Sequence, residues 1–154
     1  MGSKPHGCDL RKGRVSLPGQ YYLVTAVTHD RRTIFNNFQA GRIVVREIRH
    51  SGNYGWTDTL AFVVMPDHIH WLFSLAEDIS LTGVVAGMKR HSARQINDLI
   101  EYRGRHVWQR GFHDHALRRD EDVIHVARYI VANPLRAGLV SRIGDYSLWD
   151  AAWL

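Results

Sequence analysis

The sequence predicts an α+β fold: a ferredoxin-like (RRM-like) antiparallel sheet with helices packed on one side. Three observations carry that expectation. Segments with a period of two and segments with helical periodicity follow one another in the order strand, helix, strand, strand, helix, strand, helix. Turn-forming glycines, prolines and asparagines fall between them. The length of 154 residues suits a single core.

Residues 1–19 hold Gly2, Pro5, Gly7, Gly13, Pro18 and Gly19 among basic residues, so they read as an arm before a single folded domain over 20–154. Residues 21–27, rich in aromatic and β-branched side chains after Pro18-Gly19, form the first strand. Asn36 and Gln39 have capping-box spacing, and Phe38, Ile43, Val44 and Ile48 continue a helix over about 37–49. Gly52, Asn53 and Gly55 break it. Residues 59–65 then make an apolar strand, Pro66-Asp67 a turn and residues 68–75 the returning strand. Ser80 caps a long helix with Leu81, Val84, Val85, Met88, Ile96, Leu99 and Ile100 on one face and Lys89, Arg90 and Arg94 on the other. Arg103-Gly104-Arg105 ends that helix, and residues 112–117 are short enough for a strand. Asp120 caps a last helix that Pro134 stops.

Composition narrows the partners. A net charge of +5 and a pI near 9.7 favour an anionic ligand. Arginine outnumbers lysine 17 to 3, and the planar guanidinium grips phosphate in two bonds and stacks on bases. The alternative is a solvated basic face. The single cysteine, Cys8, excludes a disulfide framework and implies a reducing, cytoplasmic (nucleoid-associated) setting. No apolar run approaches the ~18 residues of a membrane span, so no membrane partner is expected.

Two elements carry chemistry. On residues 68–75, alternation puts His68, His70, Leu72 and Ser74 on one face and Ile69, Trp71, Phe73 and Leu75 on the other. Two imidazoles pointing together can start a divalent metal site, because neutral ring nitrogens leave the cation's charge available to a phosphate. They can equally be polar residues on a solvated sheet face. On the last helix, Val123, Ile124, Ala127, Ile130 and Val131 form an apolar stripe with Tyr129 near its opposite side. Asn133, one turn on, shares the tyrosine's face and can offer an oxygen ligand; Asp122 and His125 share it too. A surface tyrosine covering its neighbours is the plainer reading. A second pair, His113 and His115, lacks a clean apolar face behind it, and His115 is read as a residue supporting the metal ligands, touching DNA or serving structure alone.

The motifs resemble a known family. Met65-Pro66-Asp67-His68-Ile69-His70 looks like the histidine-hydrophobic-histidine signature of the HUH endonucleases, in the form found in single-tyrosine transposases. Residues 129–140, from Tyr129 through Asn133-Pro134-Leu135-Arg136-Ala137-Gly138, resemble their tyrosine helix and its exit. Gly13-Arg14-Val15 through Tyr22, with residues 107–112, is similar to the REP-associated branch. The likeness runs from about Leu10 to Trp149. It implies Tyr129 as nucleophile, with His68, His70 and Asn133 as ligands of Mg²⁺ or Mn²⁺. The activity implied is single-strand DNA cleavage and strand transfer through a 5′-phosphotyrosine, by a monomer or homodimer. The substrate implied is a REP palindrome folded as a hairpin beside a single-stranded tetranucleotide. Arg11, Lys12, Arg14, Lys89, Arg90 and Arg94 are the expected DNA contacts. Trp108 and Trp149 can stack on bases, though core packing suits them better. Two other classes fit parts of the pattern: a non-catalytic nucleic-acid-binding module, and a zinc hydrolase acting through water.

Overall fold

In Tyr21–Val27 (β1), Tyr22, Val24 and Ala26 are buried on one face, while Tyr21, Leu23 and Thr25 are half-buried on the other. This computed structural model describes residues 19–101, 105–118 and 123–152. Thr57–Val64 (β2) and His68–Leu75 (β3) form a hairpin closed by Met65 N donating to His68 O at 2.8 Å, with Pro66-Asp67 at its tip. With His113–Ala116 (β4) and Trp149–Ala151 (β5), the sheet runs β4-β1-β3-β2-β5, and every pairing is antiparallel. Its first four strands have the ferredoxin-like order. The edge strand β5 has no counterpart in the sequence reading, because three residues carry too short a pattern to detect.

Phe38–Asn53 (α1) and Leu81–Ile100 (α2) cover the face built from Tyr22, Val24, Phe62, Ile69, Trp71 and Phe73. Val123–Val131 (α3) lies on the opposite face, where Ala127, Ile130 and Val131 meet Leu60, Ala61, Val63 and Leu72. Two helices thus share one side as expected, and the third closes the side that bears His68 and His70. The apolar residues on that side explain its cover: exposed, they would forfeit roughly 1.5–3 kcal/mol for each large side chain.

Several boundaries move. Asn37, not Asn36, caps α1, its side chain accepting from Ala40 N at 3.2 Å, and the helix runs on to Asn53. Ser80 caps α2 as expected, accepting from Gly83 N at 3.0 Å. Leu99 is 38% exposed and Ile124 39% exposed, so neither is a core position. On α3 the packed face runs through Val123, Val126, Ala127 and Ile130 instead of Ile124. Pro134 interrupts the last helix without ending the helical course. Ala132 N still bonds Arg128 O, and Asn133–Arg136 (α4) resumes with proline in its first turn. Trp108 is buried and donates to Ser92 Oγ at 3.0 Å, and Trp149 donates to Ile143 O at 3.1 Å. Both serve packing. Asp120, Asp122, Arg103 and Gly104 lie outside the described residues. Among the described residues no helix is long and apolar enough to cross a membrane.

Candidate active site

His68 and His70 project from one face of β3, ring centroids 4.9 Å apart and nearly edge-on. His68 Nδ1 lies 2.7 Å from Asp67 Oδ1, and His70 Nδ1 lies 2.8 Å from Thr25 Oγ1 across the β1–β3 pair. With both Nδ1 atoms engaged, Nε2 of each ring is the nitrogen left for a ligand. A carboxylate behind a histidine in this way fixes ring orientation and tautomer.

Asp67 is itself held. Arg31 Nε stands 3.4 Å from its second oxygen. Burial pushes the Asp67 carboxyl up, but the hydrogen bond and charge of His68, with the charge of Arg31, outweigh it and leave the group below its ordinary value. Arg31 reaches this place through a turn in which Asp30 and Arg31 both have positive φ, 55° and 52°. Non-glycine residues there cost roughly 1–2 kcal/mol each. Buried Thr28 offsets that cost, donating its hydroxyl to Arg32 O at 2.7 Å and Asp67 O at 3.0 Å and its amide to Asp67 O at 2.9 Å.

The tyrosine helix approaches from the other side. Tyr129 is 57% exposed, as expected of a residue off the apolar stripe. Arg136 ties this region together. Its guanidinium sits 3.7 Å from the centre of the Tyr129 ring, donates to Tyr129 O at 2.8 Å and donates to Asn133 Oδ1 at 2.5 Å. Burial, then His68, then the charge of Arg136 push His70 down to about 4. Val63, paired with His70 across the sheet, belongs to the same core as Ile130. The charge of Arg136 reaches His70, so two separate sequence motifs, 65–70 and 129–140, come near one another through this side chain. Asn133 Nδ2 is buried with no hydrogen-bond partner, while its Oδ1 is engaged by Arg136.

The second histidine pair stands apart. His113 and His115 are exposed on β4, where His113 pairs with Thr25 and His115 with Leu23. Thr25 thus separates His113 from His70 in one row across the sheet. No three His, Cys, Asp or Glu side chains among the described residues converge on one cation position. His125 is exposed one turn before Tyr129.

Of the expected DNA contacts, Arg11, Lys12 and Arg14 lie outside the described residues. Arg90 and Arg94 are exposed on α2. Lys89 is engaged elsewhere, its ammonium donating to Gln109 O and Gly111 O at 2.6 Å each, so it clamps the 109–111 segment to α2. Sequence reasoning missed Arg31, Thr25 and Arg136. Arg136 carried a signal, its i+3 spacing from Asn133; Thr25 and Arg31 lie too far along the chain to carry one.

Comparison with known proteins gives the family. Residues 16–133 match the model of the family described as transposase IS200 like. The chain belongs to the IS200-like transposase family. A Haemophilus influenzae protein assigned as a REP-associated tyrosine transposase is 32% identical over 98 residues, covering 58% of this chain and 56% of the relative. The REP-associated tyrosine transposase of Escherichia coli is 29% identical over 86 residues, covering 56% of this chain and 49% of its own. The chain thus spans about half the length of the curated relatives it matches. A solved structure of a REP-associated tyrosine transposase bound to a REP hairpin superimposes with a TM-score of 0.67 at 23% identity, covering 88% of this chain and 79% of that one. A Deinococcus radiodurans protein assigned as a transposase does so with a TM-score of 0.54 at 19% identity, covering 84% and 95%. These two likenesses speak for the fold.

One pH dependence follows for the metal-free protein. His70 stays neutral in the folded chain down to about pH 4, whereas an unfolded histidine takes its proton near 6.5. Between those values the unfolded state binds more protons, so stability falls as pH drops from about 6.5 to about 4, by up to about 3 kcal/mol. Denaturant midpoints across this window are expected to fall less steeply for His70→Gln than for wild type. Parallel curves would contradict the assignment.

Proposed function

We propose that the chain is a single-strand DNA endonuclease and strand transferase acting on REP-type hairpin DNA through a 5′-phosphotyrosine at Tyr129. The observation that carries this reading is Arg136, which joins the Tyr129 ring to Asn133 beside His70. The names of the two curated relatives, and the hairpin in the related solved structure, support the substrate class.

His68 and His70 through Nε2, with Asn133 through Oδ1, fit Mg²⁺ or Mn²⁺: both rings are pre-set by Nδ1 hydrogen bonds, and an amide oxygen suits a hard cation. Held by these residues, such an ion would supply polarisation of the scissile phosphate. Asp67 and Thr25 hold the two rings, and Arg136 holds the Tyr129 ring and the Asn133 amide. The Tyr129 oxygen, losing its proton, attacks phosphorus in line. The bond from phosphorus to the 3′ oxygen breaks, and that oxygen takes a proton to leave as a 3′-hydroxyl. The new phosphotyrosine keeps the energy of the phosphodiester, so another strand's 3′-hydroxyl reverses the step without ATP.

The basic arm serves DNA binding through Arg11, Lys12 and Arg14, ahead of the domain proposed over 20–154. It is rooted where Gly19 N bonds Leu75 O, at the sheet end away from His68. Seven residues of strand span about 23 Å, and 18 extended residues reach about 60 Å, so the arm is long enough to return to the catalytic end.

Labelled single-stranded DNA from the flanks of the gene, incubated with protein and Mg²⁺, is expected to give a covalent protein–DNA adduct. A non-catalytic binding module or a zinc hydrolase gives none, and no adduct on any such strand would overturn the proposal.

A further inference from the structure

Among the described residues, Arg136 is held beside Tyr129 by neutral groups alone. One of its terminal nitrogens donates to Tyr129 O at 2.8 Å and the other to Asn133 Oδ1 at 2.5 Å. No carboxylate of the described residues forms an ion pair with it. Of the five N–H donors of a guanidinium, these two bonds leave three open. The side chain is exposed, so an incoming anion can reach those donors and the charge they carry.

The position of that charge is set by the chain itself. Asn133 and Arg136 stand on one turn, Asn133–Arg136, with Pro134 fixing its start. Ala137 N bonds Asn133 O at 2.9 Å and closes the turn. The guanidinium thereby lies 3.7 Å from the centre of the Tyr129 ring. Its charge is also felt at His70, adding to burial and His68 in pushing that imidazole down. One protein cation thus borders both the tyrosine and the histidine face.

We infer that Arg136 is a catalytic residue, its open donors binding a non-bridging oxygen of the scissile phosphate during cleavage and of the phosphotyrosine afterwards. This rests on the proposed function and adds to it a cation that the chain supplies. In-line attack gathers negative charge on the non-bridging oxygens, and a cation already in place stabilises it without reorganising. Arginine suits the task, because its planar fork grips phosphate and it keeps its protons at any ordinary pH. Arg136 therefore moves no proton: the bond from the Tyr129 oxygen to phosphorus forms and the bond to the 3′ oxygen breaks as before. A phosphate joined to the tyrosine oxygen stands at the rim of the ring that the guanidinium covers. Having two non-bridging oxygens, it can meet the guanidinium through one and leave the other for a bound ion.

The test compares wild type with Arg136→Gln, which keeps neutral N–H donors for Tyr129 O and Asn133 Oδ1 but loses the charge, and with Arg136→Lys, which keeps the charge but loses the fork. Adduct formation on a single strand containing the cleavage site is expected to slow by about 100-fold or more in Arg136→Gln, the usual loss for one such donor, and by less in Arg136→Lys. Loss of rate alone would also follow from a misplaced Tyr129, so a second measurement reads the phosphate contact without cleavage. In metal-free buffer, affinity is measured for the downstream cleavage product carrying a 5′-phosphate and for the same strand with a 5′-hydroxyl. For wild type the phosphate is expected to raise affinity by about tenfold, the effect of one charged hydrogen bond. That gain should fall below about twofold in Arg136→Gln and be partly kept in Arg136→Lys. A phosphate gain equal in wild type and Arg136→Gln, or absent from both, overturns the inference, as does adduct formation by Arg136→Gln at the wild-type rate. Wild-type adducts with an unchanged phosphate gain would sink the role of Arg136 alone, whereas missing wild-type adducts would sink the nuclease reading.

Discussion

Tyr129→Phe is expected to abolish cleavage and adduct formation while changing hairpin affinity by no more than about twofold. The substitution removes one oxygen from a ring that is 57% exposed, and the phenylalanine ring still lies under the Arg136 guanidinium. Surface changes of this size leave stability within about 0.5 kcal/mol, so lost activity would report lost chemistry and not a lost fold. The nucleophile is the one function for which that oxygen has no substitute. Cleavage at the wild-type rate in the phenylalanine variant would refute the role assigned to Tyr129.

A histidine series separates the proposed metal site from the second histidine pair. His68→Ala and His70→Ala are each expected to lose metal-dependent cleavage, whereas His113→Ala keeps most of it. The first two rings have Nδ1 pinned by Asp67 and Thr25, and His113 stands exposed on the edge strand beyond Thr25. Asp67→Ala should fall between them, because removing a group that orients a metal ligand costs roughly 10–100-fold in metal affinity or activity. The check is a Mn²⁺ titration of cleavage together with direct Mn²⁺ binding. Equal losses at His113 and His68 would merge the two pairs into one site.

The parts of the fold legible in the sequence were those with a local period. β3 was fully legible because a strand buried on one side and half-polar on the other alternates cleanly from His68 to Leu75. The same alternation placed both histidines on one face. Tyr129 was legible for the complementary reason, as an aromatic residue off a helical stripe. The edge strand β5 and the true capping residue of α1 were not, since three residues or a one-place shift leave no periodic trace. The supports of the site were hidden more deeply. Thr25 meets His70 through strand register, and Arg31 meets Asp67 through two positive-φ residues that composition does not announce. The bond of Lys89 to two loop carbonyls was not legible, because charge on a helix face looks the same whether it meets phosphate or carbonyls.

The central claim, that Tyr129 takes the 5′-phosphate of the cleaved strand, is tested most directly by end-labelling and peptide mapping of the covalent complex. A single strand containing the cleavage site is labelled at its 3′ end in one reaction and at its 5′ end in another, incubated with protein and Mg²⁺, denatured and digested with protease. The account predicts that the 3′-labelled fragment alone stays bound to protein, on the peptide containing Tyr129, while the 5′-labelled fragment is released with a free 3′-hydroxyl. Label retained from the 5′ end, or carried on a peptide without Tyr129, would contradict it.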